Sequence, residues 1–244
     1  MQRQNRRGAA LRWLVSGGLA GLIWLLAVIP GGSMTGVAAA GDEVFRIPAG
    51  SGKVALTFDG GENAGRVSEV LATLASHHAK ATFFLCGIYI DSFPSRARAI
   101  AQAGHEFASH SYHNINHQNL SNAAITEELQ RQEAALLRVT GKRNAPYWRA
   151  PYGYRNDRVV AQVGRLGYRS VMWSLDVRDT VAPPKSANYI FGQISNSSRR
   201  SLDGGIVLLH VNPNGTVDAL PRILDYLDSL GLRQVTVGEL LGDQ

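Results

Sequence analysis

The chain has 244 residues, 45% apolar and 18% charged, with 26 Gly, 9 Pro and a single Cys. That composition excludes a disordered chain, a collagen and a disulfide scaffold, and the length suffices for one larger α/β domain or two small ones. The formal net charge of +6 is concentrated at one end: Arg3, Arg6, Arg7 and Arg12 fall in the first 40 residues with no acid, so the remainder carries only +2 and nothing argues for a nucleic-acid partner.

Residues 1–40 have the layout of an export signal: the basic residues, an apolar stretch over 13–30, and small residues ending in Val37-Ala38-Ala39-Ala40. Cleavage after Ala40 is the natural reading. The apolar stretch also sits at the lower edge of what spans a bilayer, so an uncleaved membrane anchor is the alternative. Either way the body is expected to be exported, in the cell envelope or outside the cell. A lead-in over 41–52 then precedes a single domain over 53–244.

In that domain, apolar runs of strand length alternate with helical periods. Strands are expected at 54–58, 81–86, 106–109, 147–149, 170–173, 206–210 and 234–237. Helices are expected around Val67, Val70, Leu71 and Leu74, then over 96–103, from a cap at Ser121 to about 139, and over 157–166, 190–198 and 220–230. Cys86, alone in an apolar run, reads as a buried core thiol. About seven strand–helix units without a linker call for one parallel sheet, and the polar residues favour its closure into a distorted (β/α) barrel. Asp59, His110, Arg149, Asp176 and His210 each fall at or just past the carboxyl end of a different strand, where barrel enzymes assemble their sites. Two acids, an Arg and two His on one rim suggest acid–base hydrolysis.

Five blocks carry a resemblance: ThrPheAspGlyGly at 57–61, HisSerTyrHisAsn at 110–114, ArgAlaProTyrGly at 149–153, TrpSerLeuAspValArgAsp at 173–179 and LeuLeuHis at 208–210. In order and spacing they resemble the NodB-type polysaccharide deacetylases (carbohydrate esterase family 4). The resemblance implies a NodB-type barrel and metal-dependent removal of acetyl groups from an N-acetylated polysaccharide such as peptidoglycan or a chitin-like glycan. It implies Asp59 as the base that activates water, with Arg149 holding its carboxylate. The backbone N–H of Tyr152 would stabilise the oxyanion. His210 would be the acid that protonates the leaving amine, with Asp176 orienting it or keeping it charged.

The departures from the family pattern fall at the metal. Gly60 stands where the family has a ligating Asp, and Asn114 where it has the second His, leaving His110 as the one strict ligand. His110, His113 and Asn114, with help from Glu62, are the candidate donors for a divalent cation, and His with carboxylate suits Zn²⁺. Thr180 replaces an aromatic that often walls the sugar groove. Two rival readings stay open: a catalytically silent carbohydrate-binding barrel, and an O-acetyl esterase of a wall polysaccharide.

Overall fold

The run LysValAlaLeuThrPheAspGly is apolar on both faces until its end, as a strand covered on both sides must be. In the computed structural model, which describes residues 43–243, it forms the central strand β2 (Lys53–Gly60) of a nine-stranded sheet. The elements follow in the order β1 (Glu43–Val44), β2, α1 (Val67–Ser76), β3 (Thr82–Leu85), α2 (Gly87–Ser92), α3 (Pro94–Gln102), β4 (Glu106–Ser109), α4 (Asn122–Thr140), β5 (Tyr147–Trp148) and α5 (Asp157–Arg165). After them come β6 (Arg169–Val171), β7 (Leu175–Asp176), α6 (Ala187–Ser195), α7 (Arg199–Leu202), β8 (Ile206–His210), α8 (Asn214–Ser229), β9 (Arg233–Val235) and α9 (Val237–Leu241). The assignment of 1–40 to an export signal lies outside the described residues.

All named strand pairs are parallel, in the order β1-β6-β5-β4-β3-β2-β8-β7, with β9 pairing the first residues of β2. Seven of these strands, β2 to β6 with β8 and β9, are those expected from the sequence, and together they form the distorted barrel expected. It is curled, and its path of paired strands ends at β1 and β7, beyond which an isolated bridge joins Arg46 to Gly205. The expectations missed β1 and β7, two residues each, and the short helices α2, α7 and α9, which are too brief to show a period. Ser121 does cap α4, its Oγ accepting from the Ala124 N–H, and Cys86 is fully buried.

Strand alternation sorts the side chains into two layers. Val54, Leu56 and Phe58 of β2, Phe83 and Leu85 of β3, and Val207 and Leu209 of β8 pack outward against α1, α2 and α8 in one large core. The alternate positions Ala55, Phe84, Ala108, Tyr147, Val171 and Ile206 fill a smaller core inside the curl. Alanine at 55 and 108 suits that narrow interior. Two-residue steps from these inward positions, 55 to 57 to 59, 108 to 110, 147 to 149 and 206 to 208 to 210, arrive at polar side chains on the carboxyl rim.

Candidate active site

The stepping explains why Asp59, His110, Arg149 and His210 face one another although they lie on four strands. Asp59 and His210 are register partners across the β2–β8 ladder, and the ladder pairing Ser109 with Trp148 sets His110 beside Arg149. Asp59, His110 and Arg149 are all buried.

Arg149 is completely enclosed, and each of its three side-chain nitrogens is engaged. Nη1 donates to Asp59 Oδ1 at 2.7 Å and to Thr57 Oγ1 at 2.9 Å. Nε donates to the Val171 carbonyl and Nη2 to the Met172 carbonyl, each at 3.0 Å. The guanidinium also lies 4.0 Å over the Phe84 ring. The residue therefore does two things: it holds the Asp59 carboxylate, as expected, and it ties β5 to the backbone where β6 runs on toward β7.

His110 Nδ1 meets the Arg149 carbonyl oxygen at 2.9 Å, so in the neutral ring the proton sits on Nδ1 and donates there. Nε2 is then an acceptor, 3.8 Å from Asp59 Oδ2. Burial pushes the His110 imidazole below its ordinary value, and the opposing attraction of Asp59 does not cancel that effect.

His210 is set differently. Its Nδ1 is 2.8 Å from Asp179 Oδ1, and its backbone N–H donates to Asp179 Oδ2 at 2.8 Å, an oxygen that also accepts from Thr216 Oγ1 at 2.6 Å. Burial works to lower the His210 value, but the Asp179 hydrogen bond and charge, with Asp59 and Asp176 adding to them, hold it above the ordinary 6.5. The orienting carboxylate is thus Asp179, while Asp176 has the other part expected of it, adding to the field that keeps the imidazole charged. Asp176, at the end of β7, accepts from the Arg178 N–H at 2.7 Å and reaches His210 only through its field. The two acids are three residues apart in one block, and nothing in the sequence separates them: Arg178, at φ +57°, turns the chain back so that the second one meets the imidazole.

Strain gathers at the same rim. Three non-glycine residues in the left-handed region, Ser111 (φ +63°), Tyr152 (φ +56°) and Arg178 (φ +57°), follow His110, Arg149 and Asp176 by one to three residues. Such conformations cost roughly 1 kcal/mol or more each and persist where surrounding packing imposes them. Tyr152 lies between Pro151 and Gly153 in the turn after Arg149, its ring exposed and its hydroxyl accepting from Asn114 Nδ2 at 3.1 Å.

The expected metal donors do not assemble. His113 is turned onto Glu128, with Nδ1 2.7 Å from Oε1 and its backbone N–H donating to Oε2 at 2.7 Å. Asn114 is engaged with Tyr152. Gly60 lies on the outward face, where a Cβ would stand 2.6 Å from Leu85 Cδ2, away from Asp59 and His110. Among the described residues no three His, Cys, Asp or Glu side chains are placed to hold a metal. A catalytic Zn²⁺ takes three protein ligands. Of the expected donors His110 faces a carboxylate, that of Asp59, which is already paired with Arg149, and the residues present do not fit the cation.

A curled parallel barrel with an Asp–Arg pair and a His–Asp pair on its carboxyl rim has the architecture of a barrel hydrolase. The chain belongs to the polysaccharide deacetylase family, whose model matches residues 46–171, and so is by family a carbohydrate deacetylase. Members of the family are generally metal-dependent. A peptidoglycan-N-acetylglucosamine deacetylase of Bacillus cereus is 30% identical over 209 residues, 81% of this chain and 92% of that protein. Among solved structures, the family 4 carbohydrate esterase PdaA of Bacillus subtilis superposes with a TM-score of 0.77 at 26% identity, covering 83% of this chain and 86% of the other. A family 4 pseudoenzyme from Bacillus anthracis superposes with a TM-score of 0.75 at 26% identity, covering 82% and 69%.

Proposed function

We propose that this protein is an exported hydrolase that removes acetyl groups from an N-acetylated wall glycan, with peptidoglycan as the substrate class. One observation carries the reading: a carboxylate and an imidazole, Asp59 and His210, are neighbours across one ladder, each with its own counter-charge, Arg149 and Asp179. Arg149 holds the Asp59 carboxylate in position to act as a base, and Asp179 favours the protonated His210 that an acid must be. Asp59 takes a proton from water as its oxygen attacks the acetyl carbon, and the Tyr152 N–H receives the developing oxyanion. His210 gives its proton to the departing nitrogen, so that acetate and a free amine result. The His-and-carboxylate donors present favour this acid–base route over a three-ligand metal centre. Residues 1–40 act as the export signal or as an anchor holding the domain 53–244 at the membrane.

A second reading, a carbohydrate-binding barrel without activity, is favoured by the incomplete donor set and by the likeness to a pseudoenzyme. Acetate release from N-acetylglucosamine oligomers and from an O-acetylated glycan, by wild type and by Asp59→Asn, tests both. Release from the N-acetylated oligomers that is lost in the variant supports the deacetylase. Release confined to the O-acetylated glycan makes it an esterase, and binding without release makes it a silent barrel.

A further inference from the structure

The acid–base cluster leaves unused a set of exposed aromatic rings that begins at its own turn. Tyr152 and Tyr154 are 62% and 52% exposed, with ring centroids 6.1 Å apart and planes inclined at 42°. Phe45, just after β1, is 43% exposed. It is reached through Arg155, the residue after Tyr154, whose guanidinium lies 5.6 Å from the Phe45 ring centroid.

The Tyr152 ring and the chain around it are held in place. The Asn114 amide donates to the Tyr152 hydroxyl, Gly153 packs so closely on Trp173 that a Cβ would lie 3.2 Å from its ring, and Arg155 is tied to Glu43 of β1 and to the Gly153 carbonyl. Contiguous aromatic surface left in water marks an interaction site, and a ring already held, as Tyr152 is, loses little entropy on binding. Pyranose sugars present a C–H face to such rings while their hydroxyls stay in water or meet donors such as Asn114 and Arg155. The tract is continuous with the reacting turn, because Tyr152 belongs to both. Across the rim, position 180 holds an exposed Thr and offers no ring.

We propose that Tyr152, Tyr154 and Phe45 form a glycan-binding tract that seats the sugar rings flanking the one being deacetylated, so that long chains are preferred to short ones. The inference rests on the reading of the substrate as an acetylated glycan. Tyr154→Ala and Phe45→Ala alter exposed rings outside the acid–base set and are compared with wild type on N-acetylglucosamine dimer and hexamer. Each variant should raise KM for the hexamer roughly two- to tenfold, the span expected for losing one aromatic contact, with kcat and the dimer constants unchanged. Tyr154→Phe, which keeps the ring, should restore the hexamer KM. Calorimetric binding of the hexamer to Asp59→Asn protein, with and without each substitution, gives a readout independent of turnover. If wild type releases no acetate, the activity reading fails while the hexamer Kd still decides the tract. Unchanged hexamer affinity in both variants, equal losses on dimer and hexamer, or no hexamer binding at all overturns it.

Discussion

Asp59 and His210 are directly opposed across the β2–β8 ladder, the carboxylate on Arg149 and the imidazole on Asp179. A base and an acid thus stand on adjacent strands, each held by its own oppositely charged partner. From that relationship the following outcomes are expected.

Asp59→Asn should reduce acetate release by roughly a hundredfold or more, the usual loss on removing a general base. The enclosed Arg149 also loses its counter-charge, so the variant should be folded but less stable, by up to about 3–5 kcal/mol for a broken buried pair. Activity assays together with thermal melting check both, and a stable, fully active Asn variant would remove Asp59 from the mechanism.

Activity should fall on the alkaline side as His210 loses its proton, with the midpoint above 6.5 because Asp179 raises the folded value. Asp179→Asn should move that limb to lower pH, whereas Asp176→Asn should move it less, since Asp176 acts only through its field. The same shift has a stability consequence. With the folded value above the unfolded one, the Asp179–His210 contribution is fully present below about pH 6.5 and is lost as pH rises through the folded value. pH–rate profiles and melts at several pH values of the three proteins decide it, and an Asp179 profile identical to wild type would return the orienting role to Asp176.

Arg149→Lys keeps the charge but not the fork that bonds the Val171 and Met172 carbonyls. Urea unfolding should show a loss of roughly 2 kcal/mol or more, because buried acceptors are left unpaired at the β6–β7 junction. A loss within a few tenths of a kcal/mol would mean that the junction does not depend on this side chain.

Titration with Zn²⁺ should show no tight one-to-one site, and chelation should leave the melting temperature unchanged, since no three-ligand group is formed among the described residues. Gly60→Asp should not create one and should lower stability, because its Cβ enters the space of Leu85 Cδ2. Stoichiometric Zn²⁺ binding by wild type that His110→Ala abolishes would show that the rim does assemble a metal centre.

The long strands and amphipathic helices were legible in the sequence because each carries its own period. β8 was expected over 206–210 and is observed at Ile206–His210, and the cap at Ser121 stands where its hydroxyl meets the next turn. Asp59, Arg149 and His210 were legible too, because a polar residue ending an apolar strand marks the barrel rim whatever the rest of the fold does. What the sequence could not decide was direction. Two residues was too short a span to reveal β1 or β7, and no pattern could say that His113 would turn to Glu128 or that Asp179 would meet His210. Which side of β2 is outward also emerged only from packing: Phe58 and Gly60 face the helices, so Thr57 and Asp59 face Arg149. Local propensity specifies where a strand lies. Only the burial of one face against a neighbour chooses which alternate residues meet across the rim, and that choice separates a set of acid–base pairs from a set of metal ligands.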